Sequence, residues 1–150
     1  MSNCPRESAA ELKARALRHL ARREHSRAEL ERKLAPHAES AGQLQALLDQ
    51  LELKKQLSNE RFAEQRAHVL ARKYGPARIR HDLKAKGISP ELVDRVSAAG
   101  ELETARAILQ RKYRAPAATR EERARRARFL QGRGFSSDVI HRLVMRDAED

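Results

Sequence analysis

Six histidines, at positions 19, 25, 37, 68, 81 and 141, and one cysteine, Cys4, are the side chains of this 150-residue sequence best suited to hold a metal or move a proton. A metal site on helices wants two donors one turn apart or a close cysteine pair, and neither an HxxxH nor a CxxC spacing occurs. There is no Walker loop, no GxGxxG and no serine or cysteine in a nucleophile elbow. The sequence therefore predicts no catalytic residue, no metal and no cofactor. One thiol cannot close an internal disulfide, which fits a reducing cytoplasm. The chemistry left is charge: 32 Lys and Arg against 21 Asp and Glu give a formal net charge of +11. Such an excess points to an anionic partner, either nucleic acid or an acidic protein surface.

The cations are not evenly spread. Residues 65–86 hold seven Lys and Arg against one acid, and residues 105–134 hold ten against two. The candidate partner- or DNA-binding residues are Arg72, Lys73, Arg78, Arg80, Lys84 and Lys86 in the first of these stretches. In the second they are Arg111, Lys112, Arg123, Arg125, Arg126, Arg128 and Arg133, with Arg114 beside them. Any one of them could be an ordinary solvated charge. The segment TREERARRARFLQGRG, with six arginines and two glutamates, repels itself, so its composition is better understood as serving an anion. Tyr74 and Tyr113 could stack on unpaired bases, but residues recurring at one place in a repeat read first as packing. Phe62, Phe129 and Phe135 read as core residues of helix faces.

Helices must position these side chains. Ser8 with Glu11, Ser26 with Glu29, Ser40 with Gln43 and Thr119 with Glu122 match the capping box, in which a hydroxyl accepts from a first-turn N–H and the acid or amide reaches back. Pro76 and Pro90 suit a first helical position, where a missing N–H costs nothing. Gly87, Gly100 and Gly134 read as stops. Nothing alternates as a strand does. Nine helices are expected, over 9–24, 27–36, 41–53, 59–73, 76–86, 90–98, 101–113, 120–132 and 137–146. Leu30 with Leu34, Ile79 with Leu83, and Leu92, Val93 and Val96 form core stripes at helical spacing.

The helices repeat in threes. A shift of 47 lays Leu83, Gly87, Ile88, Ser89, Leu92, Val93 and Val96 on Leu130, Gly134, Phe135, Ser136, Val139, Ile140 and Leu143. A shift of 39 lays Val69, Leu70, Arg72, Lys73 and Tyr74 on Ile108, Leu109, Arg111, Lys112 and Tyr113, the difference being an eight-residue insertion, RAPAATRE. A shift of 49 brings Leu20, Ala21, His25, Leu30 and Leu34 under Val69, Leu70, Tyr74, Ile79 and Leu83. The expected organisation is a flexible N-terminus over 1–8, three-helix repeats over 9–56, 57–99 and 100–146, and an acidic tail over 147–150. Units this small must share a core with their neighbours, so an all-α, elongated and curved monomer is expected, with like-placed basic helices merging into a stripe. No apolar run approaches the length of a membrane span.

The second and third helices of a repeat, joined through Gly-Ile-Ser or Gly-Phe-Ser, have the outline of a helix-turn-helix. Its groove-entering helix should carry donors for base edges, yet here that helix would turn Glu91, Asp94 or Asp138 towards phosphates. The charge sits on the wrong helix for that kind of readout.

Three stretches carry a family resemblance: ALRHLARREHSRAELERKL (Ala16–Leu34), LSNERFAEQRAHVLARKYGPARIRHDLKAKGIS (Leu57–Ser89) and RRARFLQGRGFSSDVIHRLV (Arg125–Val144). Together they resemble RecX, the bacterial regulatory protein of the recombinase RecA, over nearly everything from Ala14 to Val144. Arg72, Tyr74, Gly75, Pro76, Ile79 and Leu83 match the family's central pattern, and Arg133, Gly134 and Phe135 its C-terminal one. The resemblance implies an all-helical, non-enzymatic protein of tandem three-helix units. It implies binding to RecA filaments on single-stranded DNA, restraint of filament growth, ATP hydrolysis and strand exchange, and so modulation of homologous recombination and the SOS response. Direct DNA binding is expected to be weak and salt-sensitive. The alternative is a basic, helix-turn-helix-like DNA-binding protein acting without RecA. The first repeat, with its longer and less basic APHAESAGQLQALLDQLE, departs from the pattern.

Overall fold

The computed structural model describes residues 5–145, and every regular element among them is helical. The elements are α1 (Ala9–Arg22), α2 (Arg27–Leu34), a 3-10 turn (Ala35–His37), α3 (Ala41–Leu53), α4 (Asn59–Leu70), α5 (Pro76–Ala85), α6 (Pro90–Ser97), α7 (Glu101–Lys112), α8 (Arg120–Gly132) and α9 (Ser137–Val144). These are the helices expected from the sequence, in three sets of three. The main departure is α4, which ends at Leu70 rather than 73 and leaves Arg72 and Lys73 in a turn. Residue 146 and the acidic tail 147–150 lie outside the described residues.

All four expected capping hydroxyls accept their first-turn N–H: Ser8 from Glu11, Ser26 from Glu29, Ser40 from Gln43 and Thr119 from Glu122. The return half of the box is less uniform. Gln43 and Glu122 accept from the N–H one residue before the cap, at Glu39 and Ala118. Glu29 instead takes a guanidinium, described below. Ser58, Ser89 and Ser136 cap α4, α6 and α9 in the same manner. Gly87 and Gly134 adopt positive φ just after α5 and α8, as stops require, whereas Gly100, also at positive φ, is the N-cap of α7, α6 having ended at Ser97. The turn after α3 reaches the same conformation without a glycine, at Lys55, φ 61°.

The chain divides into two compact units. One holds the described residues up to Gln65 together with Lys86–Ile88. Its core is leucine-rich: Leu12, Leu30, Leu34, Leu48, Leu51 and Leu57 are at most 1% exposed. Within it, Glu7 is tied down by its N–H donating to the His37 carbonyl and by a bidentate pair with Arg15. The other unit holds Arg66–Ala85 and the described residues from Ser89 onward. Ile108, Leu130, Phe135, Val139 and Val144 form a core there, while Ile79 and Leu83 on α5 and Val93 on α6 are buried as their spacing implied. Val69, which the repeat matches to buried Ile108, is half exposed.

Each unit contains one joint between successive repeats, and the two joints are built alike. In the second unit the Gly75 N–H donates to the Arg133 carbonyl at 2.8 Å and the Ala77 N–H to the Gly134 carbonyl at 3.1 Å. A Cβ on Gly75 would fall 2.7 Å from the Gly134 carbonyl carbon, so only glycine permits this approach. In the first unit the Ser26 hydroxyl donates to the Lys86 carbonyl at 2.8 Å, and Gly87 lies so close to Ala28 that a Cβ would meet it at 2.6 Å. The shifts of 49 and 47 read from the sequence equate Ser26 with Gly75 and Lys86 with Arg133. Each joint thus clamps the start of one repeat's second helix to the Gly turn of the next repeat.

Candidate anion-binding site

The joint of the second unit brings the C-terminal turn after α4, the start of α5, the end of α7 and the end of α8 around one cavity of about 770 Å³. Six of the sequence candidates line it: Arg72, Lys73, Arg78, Arg111, Lys112 and Arg133. Its other lining residues are Tyr74, Ile108, Phe129 and Gly132, so no carboxylate faces it. Among the described residues none of the six cations forms an ion pair.

Their placement follows from local structure. Helix α4 stops at Leu70, and the carbonyls of Arg72 and Lys73 are left outside its ladder. Arg111 Nη2 donates to the Arg72 carbonyl at 2.5 Å, and Arg133 Nη1 to the Lys73 carbonyl at 3.2 Å. Aromatic faces hold Arg78 and Lys112 and add to the hold on Arg133. Arg78 lies 4.7 Å from the Tyr74 ring centre, Lys112 Nζ 3.9 Å from that of Phe129, and Arg133 5.0 Å from Phe129 and 5.8 Å from Tyr74. A ring face attracts a cation without neutralising it, so the rings orient the charges and leave them available to an anion. The signal for this was in the sequence as arginine four residues after tyrosine at Tyr74 and Arg78. The reading of Tyr74 and Phe129 as packing missed their part in supporting the cations.

The other candidates do not join this cavity. Arg80 and Lys84 sit on α5, half-buried and exposed respectively. Lys86, in the first unit, faces Glu29 at 3.8 Å. Arg125 and Arg128 are exposed on α8 and Arg123 is half-buried there. Arg126 lines a second cavity of about 750 Å³ with Arg106, Arg114 and Arg142. It is also engaged within the fold, donating to the Ala115 carbonyl at 2.7 Å and lying 4.5 Å over the Tyr113 ring, so it fastens the eight-residue insertion to α8. Tyr113 itself packs edge-on against Phe129.

No described group of histidine, cysteine and acidic residues could hold a metal ion. No helix among the described residues is long and apolar enough to cross a membrane. His25, at the place of Tyr74 in the first repeat, is buried and packed between partners. Its Nδ1 is 3.0 Å from the Arg23 carbonyl and its Nε2 2.9 Å from Lys33 Nζ, so Nδ1 carries the proton and Nε2 accepts. Burial, reinforced by the neighbouring cations, pushes its pKa down.

The architecture defines the class: tandem three-helix units with a basic cavity at a repeat joint. Comparison with known proteins gives the family. Models of the first, second and third three-helix domains of RecX match residues 13–42, 58–96 and 99–144. The Regulatory protein RecX of Ralstonia nicotianae is 48% identical over 136 residues, covering 89% of this chain and 86% of that protein. That of Herbaspirillum seropedicae is 50% identical over 132 residues, 86% of each. The crystal structure of RecX from Lactobacillus salivarius superposes with a TM-score of 0.81 at 18% identity, covering 95% of this chain and 97% of that one. The chain belongs to the RecX family of regulatory proteins.

Proposed function

We propose that this chain binds RecA filaments on single-stranded DNA and restrains RecA ATP hydrolysis, filament extension and strand exchange, so modulating homologous recombination and the SOS response. The observation that carries this is the cluster of six cations around a carboxylate-free cavity in a member of a family of regulatory proteins. A filament offers such a surface an anionic strand. Acting on protein already loaded on DNA, the chain needs no catalytic group of its own, and it would do so as a cytoplasmic monomer.

The test is RecA ATP hydrolysis on single-stranded DNA, with the chain titrated below the amount needed to coat the DNA. Inhibition at substoichiometric amounts is expected. Inhibition only once the DNA is saturated would mean competition for phosphates, and the second reading, a basic DNA-binding protein acting without RecA, would replace the first. The same cation cluster is what favours that second reading.

A further inference from the structure

We infer that the cavity lined by Arg72, Lys73, Arg78, Arg111, Lys112 and Arg133 is a preassembled site for the phosphodiester backbone of a single nucleic acid strand, reading phosphates and not bases. We further infer that the equivalent place in the first repeat has been closed by the chain's own carboxylates. The proposal deepens the reading given above, because it names what the basic site touches on a DNA-loaded filament: the strand, not an acidic surface of the protein coating it.

Three observations support the phosphate assignment. First, two guanidiniums are fixed by backbone carbonyls and two cations are held over rings, so much of the side-chain ordering that a flexible lysine patch undergoes on binding is already complete. Second, the aromatic faces that a base would need are covered: Arg78 lies over Tyr74, and Lys112 and Arg133 lie near Phe129. Base stacking needs an open ring. Third, planar guanidiniums match phosphate oxygens, and four arginines converge here with two lysines.

The first repeat supplies an internal comparison. The repeat shifts equate Arg72 with Arg23, Lys73 with Glu24, Arg78 with Glu29 and Arg133 with Lys86. In the first unit Arg23 makes two bonds to Glu29, at 2.8 and 2.9 Å, Lys86 stands 3.8 Å from the same carboxylate, and Glu24 pairs with Arg61 at 2.9 Å. Two cations of one joint are thus replaced by acids in the other: Glu29 faces both cations that remain, Arg23 and Lys86, while Glu24 pairs with Arg61. Both joints are clamped at equivalent positions, by main-chain N–H groups in the second and by the Ser26 hydroxyl in the first, while the charged side chains around them differ in sign.

The experiment is fluorescence anisotropy with the full chain, without RecA, using a labelled oligo(dT), an abasic strand of the same length and labelled poly-glutamate as the acidic-polypeptide probe. Expected are affinities for the two DNA strands within about threefold of each other and poly-glutamate weaker by roughly tenfold or more. The double variant Arg72→Glu/Lys73→Glu, at two exposed positions, should lose roughly tenfold or more for both strands while keeping its circular dichroism. Glu29→Gln, confirmed as folded, should bind DNA roughly threefold more tightly, by removing the carboxylate charge that faces Arg23 and Lys86. An abasic strand bound tenfold more weakly would show that bases are read and overturn the proposal. Equal capture of poly-glutamate would assign the site to an acidic protein surface, and an unchanged double variant would place the DNA elsewhere. Unchanged binding by Glu29→Gln would refute the closure of the first repeat. Failure of RecA inhibition with these binding results intact would sink the regulatory reading and leave the phosphate site standing.

Discussion

At the scale of single residues, ionisable side chains in the first repeat make the fold sensitive to acid. The Arg23 guanidinium, bonded to Glu29 on both oxygens, outweighs burial and holds that carboxyl down at about 2. A carboxyl depressed in the folded state stabilises fully above its unfolded value, near 4.5, and loses that contribution as pH falls towards 2. Glu29→Gln should therefore cost about 2 kcal/mol near neutrality, discounted for the half-exposed Arg23, and most of that cost should be gone by pH 2. His25 acts in the same direction at higher pH. Its folded value is pushed below the usual 6.5 by burial, so its contribution is complete above 6.5 and declines as pH falls through that range. Thermal melts against pH should show wild-type stability declining below about pH 6.5, and His25→Gln should flatten the part of the decline that begins there. Neither effect could be read from the sequence, where Ser26 and Glu29 look like a plain capping box and His25 only like a polar ring at the packing position of Tyr74.

At the scale of elements, the Gly turns decide how helices meet. Gly134 has φ 96°, and a Cβ there would stand 2.8 Å from Arg78 Cγ and 2.9 Å from its backbone nitrogen. Gly134→Ala should cost about 2–3 kcal/mol, through both the left-handed conformation and the clash. Gly132, two residues earlier at the end of α8, has open space where a Cβ would go, and Gly132→Ala should stabilise by about 0.5–1 kcal/mol. Urea midpoints of the two variants, moving in opposite directions, check both. The helices themselves were legible because hydroxyl caps, prolines and glycines mark their ends through local rules that tertiary contacts here left in force. The candidate site was legible only as composition. The sequence singled out thirteen basic residues, and six converge because α4 stops short and presents two free carbonyls, an event no periodicity announces. Arg126 illustrates the converse: it reads as an outward charge in an arginine-rich helix and instead holds the inserted loop.

At the scale of the whole molecule, net charge of +11 and a six-cation cavity set how binding should respond to salt. If all six cations meet phosphates of a single strand, the log–log slope of affinity against salt should be about −4, and the Arg72→Glu/Lys73→Glu variant should reduce its magnitude by at least one. A slope near −1 for the wild type would mean that the cations are not engaged together. Because this dependence belongs to the cluster, single substitutions should change affinity uniformly across DNA sequences.

The backbone clamp that joins one repeat to the next also separates two kinds of variation. Main-chain carbonyls, glycine turns and one serine hydroxyl hold the joint, so surface side chains around it can change sign without shifting the helices they stand on. Duplicated units joined this way can diverge in chemistry while keeping a common geometry. Relatives should accordingly differ in which joint carries unpaired cations more readily than in how their repeats are assembled, and transplanting the charged residues of one joint into another should transplant its ligand preference with them.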